Sequence, residues 1–271
     1  RKYAFATYLH DSLPNATYVG FTGTPVDGTI EVFGPVVDSY TMTESVRDGI
    51  TVNLVYDGRA ARVTLDNAKV KEIERYYDQC EAQGANEHQI EESQKAVAKM
   101  EAIIGDPDRL RAVAKDFIHH YETRVAEGAT VAGKVMFVCM NRNIAYDLYK
   151  IIVEMRPQWS EKKISEDEAA LTDKEKKELK PIEKIKLVMT RNKDDDPALY
   201  EMLGTKDDRK EFDRQFKNPK SNFKIAIVVD MWLTGFDVPE LDTIYIDKPI
   251  QQHTLIQTIS RVNRVCEGKD K

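Results

Sequence analysis

The sequence predicts a doubly wound parallel α/β domain carrying an added helical segment. Four short runs rich in β-branched residues, 134–140, 185–189, 225–229 and 243–246, are bounded by turn residues and read as buried parallel strands. Helical periodicities lie between them, the alternation that builds a sheet covered by helices. The run at 225–229 is followed by Leu233-Thr234-Gly235-Phe236-Asp237-Val238-Pro239. That loop falls at the carboxyl end of a strand, where open α/β sheets hold their ligands.

Composition limits the function classes. With 271 residues and 41% apolar content, the chain can bury a sizeable core. It carries 40 Lys and Arg against 46 Asp and Glu, a net charge of −6. That excludes a broadly basic nucleic-acid field, so any DNA contact has to use a local groove. The three cysteines, Cys80, Cys139 and Cys266, form no CxxC and have no paired His. Neither a zinc site nor a disulfide framework is indicated, no metal site is expected, and a reduced, cytoplasmic compartment fits. No apolar run approaches 18 residues, so no membrane partner is expected. Arg1 stands where an initiator Met would, and the chain reads as an excised part of a longer protein.

In chain order, 2–13 is predicted to be an amphipathic helix with Tyr3, Ala6, Leu9 and Leu13 on one side. Residues 17–21 are predicted to be a strand delivering the tight loop Thr22-Gly23-Thr24-Pro25. A linker with Gly34-Pro35 follows, then a short helix capped by Thr43 and ended by Gly49, then an alternating edge strand at 51–56. Three helical stretches occupy about 66–128. The third is the cleanest, with Asp106-Pro107-Asp108 as its start and Leu110, Val113, Ala114, Phe117, Ile118, Tyr121 and Val125 along one face. His119 and His120 within it have no acidic or Cys partners at ligand spacing and read as structural.

The strand at 134–140 leads into Asn141-Arg142-Asn143 and a helix whose apolar face is Ile144, Leu148, Ile151, Ile152 and Met155. Asn and Arg beside a helix N-terminus can contact a phosphate, although Asn141 or Asn143 can equally cap the helix. Both charge signs alternate over about 160–180, the pattern of a solvated excursion. The strand at 185–189 ends in Thr190-Arg191, and Asp194-Asp195-Asp196 reads as a disordered surface loop, because hard-cation sites space their ligands to converge. A helix over 206–217 points Phe212 and Phe216 inward. After the last two strands, 252–265 is predicted to be one helix with Leu255, Ile259 and Val262 inward and Gln257, Arg261 and Arg264 on the other face.

The closing block resembles motifs V and VI of the superfamily 2 helicases, a Gly-x-Asp loop followed by Gln-x-x-x-Arg-x-x-Arg. Here these are Gly235-Phe236-Asp237 and Gln257-Thr258-Ile259-Ser260-Arg261-Val262-Asn263-Arg264. The wording TGFDVPELDTIYIDKP, then QTISRVNR, is most similar to the restriction (R) subunit of type I restriction–modification enzymes. Ser260 and Val229 stand where many helicases carry Gly and Thr, which distances the chain from RNA helicases and leaves the type I form intact. Phe-Thr-Gly-Thr-Pro at 21–25 resembles motif III, and the 134–142 strand and turn resemble motif IV.

The resemblance implies a RecA-like, P-loop NTPase-type sheet flanked by helices. Residues 1–36 would be the tail of a first motor domain and 37–271 a second, with a helical insertion at about 66–128. Arg261 and Arg264 would be arginine fingers, Gly235, Asp237 and Gln257 would contact ATP, and Thr22, Gly23 and Thr24 would couple hydrolysis to DNA. Asn141, Arg142, Thr190 and Thr234 would contact the DNA backbone. ATP and Mg²⁺ would be held mainly by the first motor domain, and no GxxxxGK[ST] occurs here, so this piece alone is expected to neither hydrolyse ATP nor cut DNA. The parent would translocate double-stranded DNA in complex with specificity and modification subunits. Another superfamily 2 DNA motor, or a RecA-like docking module without catalysis, are the alternatives.

Overall fold

The computed structural model describes residues 8–9, 11–23, 30, 33–59, 98, 100–233, 235–250 and 252–269. Its centre is a four-stranded parallel sheet, β1 (Lys134–Cys139), β2 (Ile185–Val188), β3 (Ile225–Val228) and β4 (Leu241–Asp247), in the order β2-β3-β1-β4. β1 pairs with β3 from Val135↔Ile225 to Val138↔Val228 and with β4 on its other side. Each of the four predicted parallel strands is present within two residues of its expected ends. All six residues of β1 are buried, as a strand covered on both faces requires.

The pleat sends alternate residues to two cores. Val135, Phe137 and Cys139 face one core, and Met136 and Val138 face the other. The first core is roofed by α2 (Pro107–Ala126) and α3 (Arg142–Met155), the second by α6 (Lys206–Lys217) and the loop after β3. The result is the three-layer α/β architecture that the alternation of strands and helices predicted.

Local chemistry accounts for the helices. Asp106 accepts from the Arg109 N–H at 3.0 Å, and Pro107 opens α2, so the expected start signal is used. Phe117 meets Phe137 and Tyr245 edge-on, at 5.3 and 4.8 Å between ring centroids. His120 is indeed structural, its Nδ1 lying 2.8 Å from the Tyr245 hydroxyl. The expected short helix is α1 (Met42–Arg47), but Thr41 rather than Thr43 caps it, in a capping box with Glu44.

Several expectations change. Residues 17–21 form no strand. Val19 and Phe21 are 66% and 94% exposed, and a lone extended segment has no ladder to satisfy its backbone. The edge strand at 51–56 reduces to one bridge, Thr51 to Arg264. The charged excursion is folded: α4 (Asp173–Glu178) carries its own capping box, Lys163 and Ile182 form a bridge, and Leu171, Leu179 and Ile182 are buried. Its charges stay outside while three apolar side chains pin it. The aspartate run is ordered, since Asp196 caps α5 (Pro197–Met202) and Asp195 is drawn into an ion pair. Of the first predicted helix, residues 8–9 and 11–12 are described and helical, with Leu9 and Leu13 exposed, and its other residues up to 10 lie outside the described residues. The 66–97 block lies outside them as well, although Met100 and Ile104 of the second stretch are buried in the first core. Among the described residues no helix is long and apolar enough to cross a membrane.

The two edges of the sheet differ. At the amino edge, Lys134 and Lys224 are buried and donate to carbonyls, Lys134 to Asn218 O at 2.8 Å and Phe223 O at 2.7 Å, Lys224 to Pro219 O at 2.7 Å. Burial pushes the Lys224 ammonium from its ordinary 10.5 to about 8. The folded state therefore disfavours its charge; the penalty is complete below pH 8 and fades as pH rises towards 10.5. Lys224→Met should gain more stability relative to wild type at pH 7 than at pH 10, measured by denaturant unfolding. An equal difference at both pH values would contradict the desolvation.

Candidate functional site

The carboxyl edge gathers the candidate residues. Leaving β3, the chain is held by its aromatic side chains. Trp232 stacks on Phe236 at 4.1 Å with ring planes 1° apart, and Phe216 of α6 lies 5.2 Å from Trp232. The Lys217 ammonium sits 5.0 Å from the Phe236 ring. Leu233, Phe236 and Val238 are buried, while Gly235 and Asp237 between them face outward. Two residues take a left-handed backbone, Gly235 at φ +70 and Trp232 at φ +67. Glycine is needed at 235 for that backbone, since nothing lies within 4 Å of where a Cβ would be. For Trp232 the conformation costs about 1–2 kcal/mol, tolerated because its ring is stacked and buried.

The arginine segment departs from its predicted form. The helix α7 (Gln252–Ile259) ends before either arginine. Ser260 N–H still reaches Ile256 O at 3.0 Å, but Arg261 and Val262 bond only three residues back, to Thr258 O and Ile259 O. Thr258 and Ser260 hydroxyls bond the carbonyls of Thr254 and Gln257, as Thr and Ser do in helix ends. Asn263 O then accepts the Val52 N–H at 2.8 Å, which takes the backbone out of helical pairing. Leu255, expected inward, is 37% exposed; Thr258 is the buried residue among those of this helix whose burial is described.

The two arginines consequently have different surroundings. Arg261 turns inward and donates from Nε to Leu233 O at 3.3 Å and from Nη1 to Phe236 O at 3.0 Å. Burial, followed by the neighbouring Arg264 charge, lowers its pKa, though a guanidinium stays protonated. Arg264 is half exposed, with Nε 3.5 Å from Asp237 Oδ1. An ion pair that open contributes at most about 1 kcal/mol, so Arg264 is available to another anion. Gln257 lies half-buried on the last turn of α7.

A second cluster stands at the carboxyl ends of β1 and β2. Asn141 caps α3, its Oδ1 accepting the Ile144 N–H at 3.0 Å, so the capping alternative is realised. Arg142 reaches across to Asp195, 2.5 Å at the shortest, and donates to Thr190 O at 2.7 Å. Asp195 was missed in the sequence; its place in an aspartate run after a strand was the available signal. Asp247 and Asp230, ending β4 and following β3, are paired with Arg109 and Lys248. Thr22 and Gly23 are exposed, while Thr24 and Thr234 lie outside the described residues. Among the described residues no group of three or more His, Cys, Asp or Glu side chains is placed to hold a metal.

Comparison with known proteins gives the site a context. A family model for type I restriction enzyme subunit R domain 3 matches residues 60–271, and one for SWI2/SNF2 ATPases matches residues 2–91. The chain is 35% identical over 275 residues to the type I restriction enzyme HindI endonuclease subunit of Haemophilus influenzae, covering 98% of this chain and 23% of that protein. A protein of Methanocaldococcus jannaschii assigned as the type I restriction enzyme MjaIXP endonuclease subunit is 36% identical over 270 residues, 97% of this chain and 23% of its own length. The chain thus spans about a quarter of the curated relatives it matches.

The contrast between the arginines is measurable. Arg261→Ala leaves two loop carbonyls without their donor and should cost about 1–3 kcal/mol in denaturant unfolding. Arg264→Ala should change stability by less than about 0.5 kcal/mol. Equal losses would contradict the assignment of separate roles.

Proposed function

The chain belongs to the type I restriction enzyme subunit R family, and from that premise we propose that it is the second motor domain of a DNA translocase, residues 37–271, preceded by the tail of the first, residues 1–36. The parent is read as an ATP-dependent DNA translocase and endonuclease that works with specificity and modification subunits on double-stranded DNA in the cytoplasm. The observation that carries the reading is Arg264. It stands half exposed beside Asp237 at the carboxyl edge of a parallel sheet, where a nucleotide phosphate bound by a first motor domain could be met.

In this reading Arg264 faces the phosphates of ATP·Mg²⁺ and stabilises charge that develops as the terminal phosphoryl group departs. Arg261 serves the same chemistry by holding the Leu233–Phe236 backbone, and so Gly235 and Asp237, in place. Gln257 completes the nucleotide contacts. The fit is favourable: the surface beside Gly235 is open, and the weak Asp237 pair can be exchanged for a phosphate. Mg²⁺ would be held by the first motor domain, whose acidic residues are not in this chain. Thr22, Gly23 and Thr24 are proposed to couple that chemistry to DNA.

The DNA backbone is assigned to Asn141, Arg142, Thr190 and Thr234, along the same edge. Arg142 is the strongest of these, being held by Asp195 in a geometry suited to a phosphate. Arg142→Ala in the intact parent should weaken DNA binding regardless of sequence and reduce the slope of log affinity against log salt by about one. An unchanged slope would remove Arg142 from the DNA contacts.

ATP turnover by the intact parent with its partner subunits, with and without double-stranded DNA, tests the whole proposal. Wild type should show DNA-stimulated hydrolysis, and Arg264→Ala should lose about 10³-fold or more while remaining folded. Full turnover in Arg264→Ala would remove the arginine-finger assignment. No turnover in wild type would favour a docking module.

A further inference from the structure

The segment that follows the tail of the first motor domain is stitched directly to the arginine turn. Residues 41–52 form a small closed unit. Thr41 and Glu44 cap α1 reciprocally, with Glu44 accepting from Thr41 N–H at 2.7 Å and from its hydroxyl at 2.8 Å. Gly49, at φ +72, turns the chain back, so that Ile50 and Thr51 N–H both point at Ser45 O, at 2.9 and 3.3 Å. The Thr51 hydroxyl donates to Ser45 Oγ at 3.0 Å, and Tyr40 hydroxyl to Asp48 at 2.9 Å.

This unit ends on the arginine turn. Thr51 and Arg264 form an antiparallel bridge, carried by Val52 N–H to Asn263 O at 2.8 Å. Ser45, Val52 and Asn263 are all buried, at 8%, 4% and 7% exposure, so the contact is a packed one. It follows directly on the tightened turn that ends α7, and it adjoins Arg264 where that side chain meets Asp237. The backbone position of Arg264 is thereby set by the segment leading out of the first domain as well as by its own helix.

We propose that residues 41–52 act as a clasp that sets the position of Arg264, with Thr51 and Ser45 as positioning residues for ATP hydrolysis. Displacement of the segment arriving from residues 1–36 then moves the arginine, which links the relation between the two motor domains to the hydrolytic site. The inference rests on the assignment of Arg264 to the ATP phosphates.

Thr51→Val, in the full-length subunit assembled with its partners, keeps the shape of the side chain and removes the hydroxyl that closes the clasp. The DNA-stimulated kcat should fall by about 3- to 10-fold, the effect of one hydrogen bond acting on the transition state, while KM for ATP stays within about twofold. Thr51→Ser, which retains the hydroxyl, should restore kcat. In an Arg264→Lys background, Thr51→Val should have an effect of less than about 1.5-fold, because residues acting as one unit are not additive. Unchanged kcat in Thr51→Val, no rescue by serine, or full additivity with Arg264→Lys would each overturn the clasp. Wild-type turnover in Arg264→Ala would instead overturn the arginine assignment itself, so the two failures are separable.

Discussion

The Arg261 guanidinium, set between the carbonyls of Leu233 and Phe236, is the interaction on which the arrangement of the carboxyl edge depends. It joins the loop after β3 to the turn after α7, two segments that have no strand or helix in common. The loop is also packed through Trp232 on Phe236 and Phe216, and the turn is also paired with residues 51–52, but the guanidinium ties the two segments together by hydrogen bonds. With it, Gly235, Asp237 and Arg264 are presented together. A cation held by two neutral carbonyls is fully charged at any working pH, so this clasp does not loosen as pH changes.

Around that contact the molecule separates support from exposure. Buried charges are satisfied by carbonyls at the amino edge of the sheet, as Lys134 is by Asn218 and Phe223. At the carboxyl edge the cations are paired with carboxylates instead, and it is the open pair that an incoming anion can readily replace. Arg142 with Asp195 and Arg264 with Asp237 each hold a cation beside a carboxylate. The first pair is sheltered and short and the second is open and long, so the second gives way more readily. That ordering agrees with the proposed roles, nucleotide contact at Arg264 and DNA-backbone contact at Arg142.

Much of this was legible in the sequence, because strand and helix signals are local. Four β-branched runs gave four strands, and Asp106-Pro107 gave the start of α2. The Gly-x-Asp loop and the arginines were legible as a motif, but their geometry was not. α7 ends at Ile259 and tightens to three-residue bonds at Arg261 and Val262, and the turn beyond it is then held by Val52, far earlier in the chain, whose N–H takes Asn263 O. Periodicity in a window around Arg261 carries no trace of such a partner. Asp195 was taken for loose surface because three aspartates in a row look solvated; Arg142, on another strand's end, is what orders it. The charged excursion was misjudged for a related reason, three apolar side chains among many charges sufficing to anchor it. Trp232, in a left-handed backbone, follows from no local preference at all.

In the proposed reading the Gly235–Asp237 loop and the Arg261–Arg264 turn form one nucleotide-facing unit. Hydrogen exchange of the full-length subunit on DNA, with and without a non-hydrolysable ATP analogue, tests it most directly. Exchange should slow at 233–237 and at 260–264 together when the analogue is bound, with the amino edge around Lys134 and Lys224 unchanged. Protection confined to regions outside these two segments, or appearing in one of them without the other, would contradict it.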